Sequence, residues 1–320
     1  MGGRATRVFG ETSEASGLVD SPTELRNDQT RDIDTLPTLA MLERLNDEDA
    51  TVASAVRRAL PELALVVDAA TMALRAGGRV HYFGGGTSGR LAVLDAAELG
   101  PTFGLPAGVV VAHIAGGEAA LVRAAEDAED HQARGAADAA GVTAHDVAIG
   151  LSASGSTPYV AGALARAREA GAFTAIFTSN PRPPLGVHAD VVVCTETGPE
   201  AITGSTRLKA GTAQKLLLNS FSTALMVRDG RTFSNLMIGL TPVNAKLRAR
   251  QLRLLSQASG AAEAACAVAL AEAGGDLQVA LVSLLSGADA ETARTALDEA
   301  DGVPRAAIAR IMEPMEPMES

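Results

Sequence analysis

Apolar and polar positions divide the chain into stretches of distinct rhythm. Residues 1 to about 35 are polar without periodicity and read as an arm. From Leu36 to about Gly78 apolar residues recur at helical spacing. Asn46 or Asp47 can cap a helix carrying Val52, Val56 and Leu60, and Pro61 suits the opening of the next, which ends at Gly77-Gly78. Short apolar runs then appear at 79–83, 109–114, 146–151, 173–177 and 191–194. Between them lie helical patterns through Leu91, Val93, Leu94 and Ala97, and over about 118–133 and 159–170; a long helix over about 206–228 follows. Strands alternating with helices of this length predict an α/β fold, a parallel sheet in three layers with helices on both faces. After about Ser256 the texture is helical only, split at Gly274-Gly275, Gly287 and Gly302. The expected organisation is an arm (1–35), an α/β layer with its preceding helices (36–255), a small helical bundle (256–310) and a tail (311–320). The tail repeats Met-Glu-Pro with nothing to bury, so disorder is expected there.

Composition narrows the partners. Of 320 residues 47% are hydrophobic and 20% charged, which excludes a disordered chain. Lys plus Arg total 27 against 38 Asp plus Glu, giving a net charge of -11. With a pI near 5.0, nucleic acid and anionic membranes are poor partners, because phosphate backbones need a basic surface. A small phosphorylated ligand remains open, since helix N-termini, backbone N–H groups and hydroxyls can hold one in an acidic protein. Aromatics are only 3%, with no Trp, which disfavours stacking platforms for single strands. Cys194 and Cys266 form no CxxC, and the five His residues form no HxH or HExxH. No disulfide framework or metal site is therefore expected, and a reducing cytoplasm fits. No apolar run approaches the ~18–20 residues of a membrane span.

Four stretches carry candidate chemistry. Gly84-Gly85-Gly86-Thr87-Ser88-Gly89 stands between strand and helix and formally fits GxGxxG. A dinucleotide site also needs a carboxylate ending the second strand, and His113-Ile114-Ala115-Gly116 supplies none. The hydroxyls of Thr87 and Ser88 suit a sugar or its phosphate better. The second stretch, Ser152-Ala153-Ser154-Gly155-Ser156-Thr157, gathers four hydroxyls at a helix start. One cap needs one hydroxyl; four point to a phosphate. The third is the carboxylate set Glu98, Glu126, Asp127, Glu129 and Asp130, where spacing alone describes a solvated face. Glu98 stands out for its apolar neighbours in sequence. The fourth runs from Gly204 to Lys215, with Ser205 or Thr206 as possible caps and cations in first turns, where the helix dipole does not favour them.

Longer motifs bind these stretches together. Thr23-Glu-Leu-Arg-Asn27, Gly84-Gly-Gly-Thr-Ser-Gly-Arg90, Leu94-Asp-Ala-Ala-Glu98, Ala125-Glu-Asp-Ala-Glu-Asp130, Ser154-Gly155 with Thr157-Pro-Tyr159, and Thr203-Gly-Ser-Thr-Arg-Leu-Lys-Ala-Gly-Thr-Ala-Gln-Lys215 resemble, in order, those of N-acetylmuramic acid 6-phosphate etherases. The resemblance runs from about residue 22 to 300. It implies a sugar isomerase (SIS) fold, a homodimer with sites near its interface, and a C-terminal module similar to ubiquitin-associated domains. It also implies a cofactor-free lyase of peptidoglycan recycling, which splits a phosphorylated amino sugar, N-acetylmuramic acid 6-phosphate, into N-acetylglucosamine 6-phosphate and D-lactate. By position, the family's catalytic glutamates fall on Glu98, the acid assisting lactate departure, and Glu129, the base. Substrate binding is expected from Thr87, Ser88, Arg90, Ser152, Ser154, Ser156, Thr157 and Lys209.

The sequence also departs from the family. Leu99-Gly100 replaces a usual Cys-Pro, Ser156 stands where the family has Arg, and Gly239 stands where it has Asp. These changes, expected near the site, keep two other readings in play: a lyase or isomerase for another phosphosugar, or a non-catalytic sensor similar to the glucokinase regulatory protein.

Overall fold

The structure, a computed structural model, describes residues 21–239 and 245–313. Expectations for residues 1–20 and for the tail beyond 313 lie outside the described residues. Short 3-10 turns lead into helices α1 (Thr38–Asp49), α2 (Val52–Arg58) and α3 (Leu60–Arg75). Asn46 and Asp47 cap nothing and lie inside α1, whereas Pro61 does sit in the first turn of α3. Then follow β1 (Val80–Gly84), α4 (Gly86–Phe103), β2 (Val110–Ile114), α5 (Ala119–Val122), α6 (Gln132–Asp138), β3 (Val147–Leu151), α7 (Pro158–Glu169), β4 (Phe173–Thr178), β5 (Val191–Cys194) and α8 (Lys209–Arg228). A two-residue hairpin, β6 (Thr232–Phe233) and β7 (Leu236–Met237), precedes α9 (Ala245–Ser259), α10 (Glu263–Glu272), α11 (Leu277–Ser286), α12 (Ala290–Glu299) and α13 (Pro304–Met312).

The five long strands form one parallel sheet in the order β2-β1-β3-β4-β5. Every residue of β1 and β3 is buried, as a sheet covered on both faces requires. Val80, Tyr82, Ile149 and Leu151 pack towards α3 and α8, and Phe83, Ala148 and Ile176 pack with Tyr159, Val160 and Leu164 of α7. Helices α9 to α13 enclose a separate apolar cluster that also takes in Ile238 and, partly, Phe233 and Leu236. Helix α9 passes straight through residues 255 and 256, where the texture of the sequence changes.

Two expected helices come out differently. The stretch 118–133 is broken into α5, a 3-10 turn (Glu126–Asp130) and α6. Arg90 of α4 explains the first break: its guanidinium donates to the carbonyls of Leu121 (3.1 Å) and Arg123 (3.0 Å), closing α5 after one turn. The long helix starts at Lys209 instead of Thr206, and neither Ser205 nor Thr206 caps it. The fully buried carboxylate of Glu200 does, accepting from the backbone N–H groups of Lys209 and Ala210 at 2.9 Å each.

One face of the sheet buries ionisable groups. His81 of β1 stacks on His113 of β2, their ring nitrogens 3.2 Å apart, and Asp146 Oδ2 lies 3.9 Å from His81 Nε2. Burial, reinforced by His113 and opposed by Asp146, pushes the His81 pKa down to about 4. Burial lowers that of His113 too. The unfolded chain, with its ordinary value near 6.5, takes up the proton first as pH falls. The stability held by neutral His81 is therefore complete above pH 6.5 and lost progressively down to pH 4, by about 3 kcal/mol. Urea midpoints measured across that interval should show this slope, and His81→Leu should reduce it.

Candidate functional site

The loops leaving β1 and β3 lie side by side, because Gly84 and Leu151 are register partners at the carboxyl ends of adjacent parallel strands. The chain leaves β1 towards β2 on one side and β3 towards β4 on the other. This is the crevice where open α/β sheets bind ligands. A cleft of about 400 Å³ occupies it. Its walls include Thr87, Ser88 and Arg90 from the first turn, Ser152, Ser154 and Thr157 from the second, and Glu129.

Glu129 is brought in by the 3-10 turn and lies across the start of α4. A Cβ added to Gly85 would sit 2.7 Å from Glu129 Cγ, and one on Gly86 2.6 Å from Glu129 Oε1. The two glycines thus make room for the carboxylate, and the positive end of α4 favours its charge. Arg90 works indirectly. By holding the carbonyls of Leu121 and Arg123 it fixes the segment that carries Glu129.

The second turn is a knot of hydroxyls. Ser152 Oγ lies 2.8 Å from Thr157 Oγ1, and Ser154 Oγ lies 2.8 Å from Ser156 Oγ. Gly155 bends the turn at φ +68°, and a Cβ there would come within 2.3 Å of Pro183 Cβ. Thr157 precedes α7 without its side chain capping the helix, so the first donors of α7 keep no side-chain acceptor. None of the residues this turn gives to the cleft is charged. Ser156 stands behind Ser154 and does not itself line the cleft.

Two expected residues are elsewhere. Lys209 does not face the cleft: it is buried at 4% exposure, and its Nζ is 2.5 Å from Glu48 Oε2 on α1. It cross-links α1 to α8, which corrects its expected role in substrate binding. Glu98 is exposed on the fourth turn of α4, in a separate groove with Leu94, Asp95, Lys215 and Asn219. The twelve residues from Gly86 to Glu98 span ~18 Å of helix, far more than a glutamate side chain reaches. In that groove Asp95 accepts from Tyr82 Oη (3.0 Å) and Ser222 Oγ (2.8 Å), and burial raises its pKa to about 6. Gly239 packs on Phe103 at the far end of α4, where a Cβ would lie 2.2 Å from the Phe103 carbonyl oxygen. Gly239 and Leu99-Gly100 are therefore remote from the cleft, and of the three departures only Ser156 adjoins it.

The cleft also contains residues the sequence reading did not assign to a ligand. Glu24 and Thr206 line it. Behind it stands Gln214, at 1% exposure, whose Oε1 accepts from Ser88 Oγ at 2.8 Å. Glu24 and Thr206 had a signal, since both fall inside long motifs; Gln214 had the same one. Among the described residues no cluster of His, Cys, Asp and Glu could hold a metal ion, and no single helix is long and apolar enough to cross a membrane.

Two family models match the chain: the glucokinase regulatory protein N-terminal SIS domain over residues 62–168 and the SIS domain over residues 122–224. The parallel sheet and its two strand-end turns lie across these spans, and the fold is that of sugar isomerase domains. An N-acetylmuramic acid 6-phosphate etherase from Thermobifida fusca (strain YX) is 58% identical over 269 residues, covering 84% of this chain and 88% of the relative. One from Enterobacter sp. (strain 638) is 49% identical over 287 residues, covering 89% and 97%. Among solved structures, a phosphoheptose isomerase from Francisella tularensis is 18% identical, covers 58% of this chain and 98% of that one, and aligns with a TM-score of 0.46.

Proposed function

The chain belongs to the N-acetylmuramic acid 6-phosphate etherase family, and from that membership we propose that it cleaves the lactyl ether of N-acetylmuramic acid 6-phosphate. The products are N-acetylglucosamine 6-phosphate and D-lactate. The observation that carries the reading is the placement of the Glu129 carboxylate in one cleft with the hydroxyl-rich turn.

The phosphate goes to the second turn, where hydroxyls, backbone donors and the start of α7 converge and the turn itself contributes no charged residue. The sugar then extends towards Glu129. In the ring-opened aldehyde the C1 carbonyl acidifies the C2 proton. Glu129 takes that proton, the C3–O bond breaks, and the departing lactate oxygen receives a proton from a carboxylic acid. Water adds at C3 of the unsaturated aldehyde, and C2 is protonated again. Each acid–base contribution is typically worth ~10²–10⁴-fold.

Glu98 is the acid the family motif supplies, and within one chain it does not reach this cleft. We assign it to the cleft of a second copy, in a homodimer. Two features support the assignment. Glu98 stands on the exposed face of α4 beside Leu94, which is 51% exposed. Helix α1 buries none of its residues and leaves Leu39 and Leu42 at 69% and 57% exposure. The large unpaired apolar side chains are what a partner would cover. The two cysteines are unpaired, and a reducing cytoplasm is the compartment we propose.

The decisive experiment incubates the protein with N-acetylmuramic acid 6-phosphate in heavy-oxygen water. Lactate release with label at C3 of the sugar product is expected. Absence of both lactate release and C2 proton exchange would sink the etherase reading. That result would favour the sensor, which has an observation of its own in the match to the glucokinase regulatory protein model.

A further inference from the structure

The two turns offer different chemistry to a ligand. Ser88 lines the cleft, yet its hydroxyl proton is already engaged, donated to Gln214 Oε1 at 2.8 Å. Gln214 comes from α8, 126 residues away in sequence, and is 1% exposed. Its other end, Nε2, is buried without a hydrogen-bond partner among the described residues. A buried amide donor left unmatched costs ~1–3 kcal/mol, and such groups in folded proteins call for an explanation. The one hydrogen bond the side chain does make ends on a cleft residue. Beside Ser88, Glu129 already places an anionic group at the start of α4, where a second anion would be repelled.

We infer that Gln214 is a positioning residue that holds Ser88 as a hydrogen-bond acceptor only, so that the first turn selects a donor group of the sugar, a hydroxyl or amide N–H, and takes no part in holding phosphate. This rests on the etherase reading for the identity of the sugar, but not for the polarity of Ser88. A hydroxyl oxygen whose proton is spent offers lone pairs to the ligand. It discriminates against an acceptor, phosphate included, and rewards a donor. Gln214 thereby gives the cleft a direction, with phosphate at the second turn and the donor-bearing carbons at the first, next to Glu129.

Two ligands separate the ends: N-acetylglucosamine 6-phosphate, which spans both turns, and inorganic phosphate, which fills only the phosphate end. Dissociation constants are measured by calorimetric titration. Ser88→Ala should weaken the sugar phosphate about tenfold, the loss of one hydrogen bond, and leave inorganic phosphate unchanged. Gln214→Met, close in size but without an acceptor, should do the same, and the double variant should be no weaker than either. Loss of phosphate binding in Ser88→Ala equal to the loss of sugar phosphate binding would overturn the inference. That outcome corresponds to the opposite amide orientation, with Gln214 donating and the serine proton free for phosphate. Effects that multiply to about a hundredfold in the double variant would overturn it as well. A merely structural Gln214 would weaken both ligands together, also against the inference. If Gln214→Met does not fold, Ser88→Ala alone decides through its two ligands. A chain that shows the expected selectivity but releases no lactate refutes the proposed activity and leaves this inference standing.

Discussion

Changing Glu129 to glutamine is expected to slow lactate release by ~10²–10⁴-fold, the usual contribution of a positioned acid–base group. Glutamine keeps the length and volume of the side chain, so it still fills the space over Gly85 and Gly86. What it loses is the ability to accept the C2 proton. The loss should therefore fall on kcat, with KM nearly unchanged, because the hydroxyls and backbone donors of the second turn are untouched. Exchange of the C2 proton with deuterated solvent should fall in parallel. The thermal midpoint should move little. Lactate release at the wild-type rate would remove Glu129 from the mechanism.

The second large effect is a recovery. Glu98→Gln and Glu129→Gln should each be inactive alone, and mixing them under conditions that exchange subunits should restore about a quarter of the wild-type activity. The arithmetic follows from two-fold symmetry. About half of the reassorted dimers are hybrids, and each hybrid has one cleft with both glutamates and one with neither. If Glu98 served its own chain, every cleft of a hybrid would lack one group and mixing would restore nothing. The ~18 Å from the start of α4 to Glu98 argues against that arrangement. Glu24 provides the competing outcome, since it lines the same cleft as Glu129 within one chain. If Glu24 is the acid, Glu24→Gln is inactive and Glu98→Gln keeps its activity without any mixing.

The strands were legible because a sheet covered on both faces turns each strand into a short apolar run, and 79–83 and 146–151 are of that kind. The turns at their ends were legible for the complementary reason, as runs of glycine and hydroxyl residues break off the apolar pattern of the strand before them. Long-range partnerships were not legible. Spacing marks 118–133 as helical, but Arg90 caps α5 early from another helix. The cations near the start of α8 look out of place for a solvated face, and the resolution lies in Glu48, 161 residues away, which pairs with Lys209 inside the protein. Ser205 and Thr206 are good caps by type, yet Glu200 reaches the helix start first. Glu98 has apolar neighbours in sequence, but on a helix those residues point in other directions, and it is exposed. The hairpin of β6 and β7 has only two residues per strand, too few for any alternation to show.

The fit of Glu129 over Gly85 and Gly86 sets the order in which this site could change over many generations. While the glutamate remains, a mutation giving either glycine a side chain puts that side chain on the carboxylate and spoils the reaction in one step. Once the glutamate has been shortened or lost, a side chain at either glycine no longer meets it, and at Gly86 the strain of φ +49° is what remains. Drift out of this chemistry must therefore begin at position 129 and reach the glycines afterwards. Recruitment into it must run the other way, from a bare turn that later acquires its acid.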